Sequence, residues 1–348
     1  MTTGEHEGDF YSIPGFRPFF IRKALEYTDF QFAIGEKNIL QKAFTGADLV
    51  QIQFPFLLGR NAVRIAKRMG IPVIGACHVQ PQNIIAAIWR KESPFIEKML
   101  YSFFNYSLFK KVDAIHCPSA LAADMLRDHG SKADCRIISN GIPAEYHPVE
   151  HPRPDWFEDH FVVTNVGRHA NEKRQELLIK GVLKSKYKGN IQLLLCGKGA
   201  NSEKLRDLGA ELPLKPLIEY VSEADKLLYL NTSDMYLHSS VVELESLSCL
   251  EAIGCGLPCL IGNSPHSAAT QFALDDRFIF EMDNADALAA KIDYWYDRRE
   301  LLHEMKQEIL QMAEQYRFDK CIDEMESFHR EIQAHEKITH ANKIPVLS

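Results

Sequence analysis

Asp234 to Asn263, DMYLHSSVVELESLSCLEAIGCGLPCLIGN, is the stretch whose reading decides the fold. Met235 to Leu237 is a short apolar run of strand character, a loop runs through Val242, Glu245 to Cys255 predicts a helix, and Pro258 to Ile261 predicts a second strand after a Gly break. Strand, loop, helix and strand in that order make one step of an open α/β sheet. Ligands collect beyond the carboxyl ends of such strands, because helix N-termini and free backbone N–H groups converge there. Two carboxylates sit eight residues apart in the stretch, Glu243 in the loop and Glu251 about two turns further on in the helix. An isolated pair at this spacing reads most simply as a solvated helix surface. Beside a helix start that can hold an anion, the same pair can accept hydrogen bonds from hydroxyls, which suits a phosphorylated, hydroxyl-rich ligand such as a nucleotide sugar.

Outward from this stretch the alternation continues on both sides. A buried strand at Val162 to Val166 leads into Gly167-Arg168-His169-Ala170-Asn171-Glu172-Lys173-Arg174, with a helix expected from near Glu172. Two cations at a strand-to-helix turn can be a solvated basic turn, or an anion site in which a guanidinium and an ammonium add charge-assisted bonds to a helix start. Ile191 to Cys196 forms the next strand and is followed by Gly197-Lys198-Gly199, a weak signal by itself. Towards the N-terminus, strands are expected at Asp48 to Ile52, Pro72 to Cys77, Ala114 to Cys117 and Arg136 to Ser139. Gln80 to Asn83 reads as a polar loop, Pro94 to Lys111 as an amphipathic helix, and Ser119 as an N-cap. Helical spacing returns in 286–298, 300–316 and 318–335, and the tail from Lys337 is expected to fray. The fold class is therefore α/β, with two Rossmann-like parallel-sheet domains at 1–150 and 151–317 separated by the Pro-rich linker His147 to Pro154, and with 318–348 as a C-terminal helix packing back towards the N-terminal domain, and tail.

Composition narrows the function. The 348 residues are 46% hydrophobic and 25% charged, the profile of a globular protein with two cores. Residues 1–150 carry 17 Lys and Arg against 15 Asp and Glu, and the rest 23 against 32, so the two halves are suited to different partners. An acidic chain without a long basic stripe argues against nucleic acid. None of the eight cysteines forms a C-x-x-C pair, and with no signal-type start or membrane-length apolar run a cytoplasmic location is expected. Phe16, Phe19, Phe20, Phe54 and Phe56, near Arg17, Arg22 and Lys23, fill a core or form an aromatic, basic face for an acceptor or an anionic membrane surface.

Glu243, the step to Glu251 and the following Ala252-Ile253-Gly254-Cys255-Gly256-Leu257-Pro258 resemble the E-x7-E segment of retaining glycosyltransferases of family four, which have the two-domain GT-B fold with a central cleft. Gly167-Arg168 with Lys173 resembles their G-R-x-x-x-x-K segment. The resemblance covers about residues 45 to 330 and implies a hexosyltransferase using a UDP-linked donor. It places Arg168 and Lys173 on the diphosphate, Glu243 against the hexose and Glu251 on the ribose, with Gly167, Gly197, Ser246 and Leu247 completing the donor set and His78, at a strand end, near sugar and acceptor. The aromatic and basic N-terminal half, by itself, points to a diacylglycerol-type lipid or a cell-envelope glycan as acceptor and to peripheral contact with the inner face of the cell membrane, and no cofactor is expected. With no D-x-D pair in the chain, diphosphate charge is expected to fall to Arg168, Lys173 and helix N-termini, making transfer independent of metal.

Two departures stand out. Leu244-Glu245-Ser246 occupies the place where the family often has Gly-Phe-Gly, which puts the loop geometry and sugar preference in doubt. Family members also open with a strand, a Gly-containing loop and a helix. The Pro-broken region before Asp48 leaves no room for a βαβ unit of about 30 residues, so a shortened N-terminal domain is expected, the alternative being that residues 10–44 rebuild the sheet in another order. A catalytically idle binding or scaffold protein, and an epimerase or phosphorylase on the same fold, are the rival functions.

Overall fold

The computed structural model describes residues 11–19, 31–88, 93–157 and 159–341. Two compact units divide the chain, one of residues 1–139 with 322–348 and the other of residues 140–321. Within the first, β1 (Val50–Ile52), β2 (Val73–Ala76), β3 (Ala114–Cys117) and β4 (Asp134–Ile137) form a parallel sheet in sequence order. Every residue of β2 and β3 is buried, as expected of strands covered on both faces. Gly15–Phe16 and Phe32–Ala33 pair antiparallel as a ribbon separate from that sheet, so among the described residues 10–44 do not rebuild it.

Two local expectations need correction. Gln80 to Asn83 is not a polar loop: a helix runs Pro81–Ile88, with proline at its first position, where the missing N–H costs nothing. The segment expected as one helix to Lys111 is α-helical over Pro94–Phe104 and continues as a π-helical turn, Asn105–Phe109. From residue 322 the long Phe318–Ala341 helix belongs to the first unit, where His329 Nε2 lies 2.9 Å from Gln51 Oε1 and Arg136 pairs with Glu331 at 2.7 Å.

The second unit holds a six-stranded parallel sheet of β5 (Phe161–Val166), β6 (Ile191–Cys196), β7 (Leu217–Glu219), β8 (Met235–His238), β10 (Cys259–Asn263) and β12 (Ile279–Glu281), in the order β12-β10-β8-β5-β6-β7. A two-residue strand, β9 (Val242–Glu243), pairs with β11 (His266–Ser267) beside it. Period-two alternation builds the core. Phe161, Val163, Leu193, Leu195, Met235 and Leu237 pack on one face around Trp295, while Tyr236, Cys259 and Ile261 pack with the Leu247–Gly254 helix on the other. Strand order reverses between β5 and β8, so the loops leaving their carboxyl ends at Gly167 and Ser239 open onto the switch point where such sheets bind ligands.

Candidate active site

The first wall of the site is made by two loops that touch. Gly167 N donates to Cys196 O at 3.0 Å, and His169 N donates to Lys198 O at 3.1 Å. A Cβ on Gly197 would lie 1.9 Å from Gly167 O, and one on Gly199 would lie 2.4 Å from His169 O, so both glycines are demanded by backbone approach. His169 is buried, with Nδ1 2.8 Å from Ser202 Oγ at the start of the Ser202–Gly209 helix. Burial lowers its pKa and keeps the ring neutral.

The second wall joins the two segments singled out in the sequence. Asn171–Lys173 is a short 3₁₀ turn, and the α-helix starts only at Gln175, after Arg174 in the left-handed region at φ 51°. This turn is fastened to the loop after β8. Ser239 Oγ donates to Lys173 O at 2.7 Å, Ser240 Oγ to Glu172 O at 3.2 Å, and Val241 N to Glu172 O at 2.9 Å. Those bonds set Lys173 over Glu243, and the ammonium pairs with Oε1 of the carboxylate. Arg168 is half-exposed and pairs with Glu172 at 3.0 Å, while its carbonyl accepts a 2.9 Å bond from Gln175 Nε2.

Burial opposes ionisation of Glu243, yet Lys173 and His238 outweigh it and hold the carboxyl below the usual range. His238, at the end of β8, places Nε2 3.9 Å from Glu243 Oε1. Burial would lower the His238 pKa, but the charges of Cys249 and Glu243 raise it. Cys249 in turn is brought down to about 5 against the effect of burial, by hydrogen bonding from the Cys259 thiol and by His238. His238 and Cys249 therefore line the buried side of the Lys173–Glu243 pair, and the sequence reading singled out neither.

Glu251 lies in a different cluster. The Leu247–Gly254 helix is capped by Ser246, whose Oγ accepts from Cys249 N at 3.4 Å; Ser246 is buried and Leu247 is exposed. On that helix the carboxylate of Glu251 lies 3.3 Å from Lys226 Nζ, which also pairs with Glu223 at 2.8 Å and sits 5.0 Å over the Tyr146 ring. Burial raises the Glu251 pKa while Lys226 pulls it the other way. Glu245 faces elsewhere: it is buried, and its Oε2 accepts from Asn140 N at 3.0 Å and Asn140 Nδ2 at 2.6 Å. The Leu244-Glu245-Ser246 departure thus supplies a packed leucine, an anchor for the Asn140 turn and a helix cap.

His78 belongs to the first unit, where it lies just beyond β2 and its ring centroid is 5.4 Å from that of His116. Burial, then His116, lowers its pKa to about 4, so at neutral pH the ring is uncharged, whereas proton transfer from an imidazolium would need a higher value. Among the described residues no group of three or more His, Cys, Asp or Glu is placed to hold a metal ion. None of their helices is long and apolar enough to cross a membrane. The cysteines among them are free thiols.

Residues 148–312 match the family Glycosyl transferases group 1, and residues 2–146 match Glycosyltransferase Family 4. The catalytic domain of cholesterol-alpha-glucosyltransferase from Helicobacter pylori is 43% identical, and the match covers 99% of that domain and 45% of this chain, with a TM-score of 0.42. The chain belongs to the family-four glycosyltransferases. Within the family it is 21% identical over 262 residues to an alpha-monoglucosyldiacylglycerol synthase of Streptococcus pneumoniae, a match that covers 68% of this chain and spans 58% of that synthase's length. Anabaena HepE, solved in complex with UDP, is 14% identical and has the same fold, with a TM-score of 0.71 over 84% of this chain and 82% of that one. As a family-four glycosyltransferase the chain has the GT-B-type domain in its second unit, with the β5 and β8 loops at the switch point.

Proposed function

We propose that the chain is a retaining hexosyltransferase that takes glucose or a related hexose from a UDP-linked donor and passes it to the hydroxyl of a lipid alcohol. The observation that carries this is the buried Lys173–Glu243 pair, which fastens a cation of the β5 loop to the carboxylate of the β8 loop, with Arg168 half-exposed beside it. Arg168 and Lys173 receive the diphosphate, Glu243 accepts from hexose hydroxyls, and Glu251 accepts from the ribose. Gly167 and Gly197 give the backbone room, and Ser246 and Leu247 present the helix N-terminus.

In the transfer step the C1–O bond to the diphosphate breaks while a bond forms from C1 to the acceptor oxygen on the same face. The acceptor proton passes to the departing phosphate oxygen, and the cations stabilise the charge that develops there. With two cations and a helix start on the diphosphate, this reading needs no divalent metal. Support for the acceptor class comes from relatives named for cholesterol and for diacylglycerol, both lipid alcohols, and the alpha linkage in both names agrees with retention from an α-linked donor. Peripheral contact with an anionic membrane belongs to the same reading, since such acceptors reside in bilayers, and His78 is its residue on the acceptor side. The test is UDP release from UDP-glucose in the presence of diacylglycerol or cholesterol in detergent micelles, with the product's anomeric configuration read by NMR. An α-linked glucolipid is expected; donor binding without UDP release for any lipid alcohol or glycan would overturn the assignment in favour of an idle binding protein.

A further inference from the structure

The Pro94–Phe104 helix and the turn after it are apolar on two faces. The inward face buries Tyr101, Phe104, Leu108 and Phe109, which accounts for the helix's place in the first unit. The outward face presents Phe95 (78% exposed), Met99 (52%), Phe103 (38%) and Tyr106 (59%). Steps of four, four and three residues line these up as one stripe about 16 Å long. Surface apolar residues scattered singly are ordinary, but four large ones in a row mark a docking surface.

Charge identifies the occupant. The ionised residues exposed along 94–111 are Lys98, Lys110 and Lys111, and Tyr106 lies under two cations, with Arg60 5.3 Å and Lys111 4.6 Å from its ring centroid. Glu97, the one carboxylate in that segment, turns to Gln82 at 2.7 Å and lies 3.8 Å from the His129 ring. An apolar stripe with an interfacial tyrosine and a rim of cations matches the acyl–headgroup boundary of an anionic leaflet. A second copy of the chain fits worse, because a two-fold contact through this stripe sets the same lysines against each other. The inward face joins the aromatic cluster of the first unit, with Phe104 against Phe56 at 6.1 Å and Phe56 against Phe32 at 5.0 Å, which fixes the helix that presents the stripe. Of the aromatic and basic residues earlier in the chain, Phe16, Phe19 and Phe54 are exposed, whereas Phe20, Arg22 and Lys23 lie outside the described residues.

From this stripe and its rim we infer that Phe95, Met99, Phe103 and Tyr106, framed by Lys98, Lys110 and Lys111, form a surface that inserts into an anionic phospholipid leaflet. The inference deepens the lipid-acceptor reading, and its test uses vesicles free of any acceptor so that the two can fail separately. The full chain is sedimented with phosphatidylcholine vesicles, with and without phosphatidylglycerol, at low and high salt. Binding is expected with phosphatidylglycerol at low salt and is expected to weaken as salt rises. Met99→Trp should shift its emission to the blue on binding. The double variant Phe95→Ser with Met99→Ser, and the triple variant Lys98→Glu, Lys110→Glu, Lys111→Glu, should each lose at least about tenfold in partition while keeping the parent's circular dichroism, melting temperature and UDP affinity. Any of four results overturns the inference: no partition at low salt, equal partition to both vesicle types, unchanged partition in both folded variants, or an unshifted Met99→Trp emission on bound protein. A concentration-dependent dimer that Phe95→Ser with Met99→Ser abolishes would give the surface to a second copy instead.

Discussion

Lys173 and Glu243, 70 residues apart in the chain, are joined as one buried ion pair whose geometry is set by Ser239, Ser240 and Val241 holding the backbone of Glu172 and Lys173. The pair links stability to the proposed chemistry. Both side chains are more than three-quarters buried, so Lys173→Met leaves a buried carboxylate without its ammonium partner, 3.9 Å from the His238 ring. The expected cost is up to about 3–5 kcal/mol, the range for breaking a buried pair from one side. The double variant Lys173→Met with Glu243→Gln should recover most of that stability in a denaturant titration while turnover stays lost. Equal stability of the single and double variants would show that the pair is solvated.

The same pair has a pH signature. The folded Glu243 pKa is depressed, so its contribution is fully present above the carboxylate's unfolded pKa of about 4.3 and is lost as pH falls through the lower folded value. Melting temperature should therefore drop more steeply below about pH 4 in the parent than in the double variant. Parallel acid-melting curves would remove the carboxylate from this role.

Glu251→Ala should weaken UDP and uridine alike, because the proposed contact is to the ribose and not to the phosphates. Hydrogen bonds to a charged acceptor contribute about 1.5–3 kcal/mol each, so a loss of roughly ten- to a hundredfold in affinity by calorimetry is expected. Burial raises this carboxyl's pKa, so the ionised form gains ground with rising pH and UDP affinity should climb across the weakly acidic range in the parent only. Loss of UDP binding with uridine binding intact would move Glu251 to the phosphate side.

How far the sequence reached follows from the kind of signal each residue leaves. The β5, β6 and β8 strands and the Leu247–Gly254 helix were legible because apolar runs with Gly or Ser boundaries have few other readings. Leu217–Glu219 escaped because three residues after Lys215-Pro216 form too short a run to register a period. His238 and Cys249 sit inside apolar elements with no spacing of their own, and only packing brings them together beside Glu243. Lys226 reads as a solvated helix lysine until the fold brings Glu251 and Tyr146 to it. Gly197 and Gly199 left the reverse pattern, a weak motif that proved to be a tight backbone requirement.

Activity should be unchanged, within assay error, by EDTA and by added Mg²⁺ or Mn²⁺, because Arg168, Lys173 and the helix start are proposed to balance the diphosphate. The check is initial-rate UDP release after exhaustive chelation. A strict requirement for a divalent ion would place metal on the diphosphate and reduce the two cations to a supporting role.

The two glycines of the donor loops should both lose donor affinity on change to alanine but differ in stability. At Gly197 the new Cβ would stand 1.9 Å from Gly167 O, a backbone atom that cannot turn aside, so one loop has to move. Overpacking of this kind costs about 1–3 kcal/mol, and here it falls on the Gly167–Cys196 and His169–Lys198 bonds that hold the first wall together. Gly197→Ala should thus lower both melting temperature and UDP affinity. At Gly167 nothing lies within 4 Å of a new Cβ and the backbone is outside the left-handed region, so Gly167→Ala should fold with the stability of the parent. Its methyl projects into open space beside Arg168, where the diphosphate is proposed to rest, so donor affinity should fall without a change in melting temperature. Calorimetry with UDP and thermal melts on the two variants separate these outcomes. A destabilised Gly167→Ala would show that its loop is packed more tightly than these distances allow, and full UDP affinity in that variant would place the phosphates elsewhere.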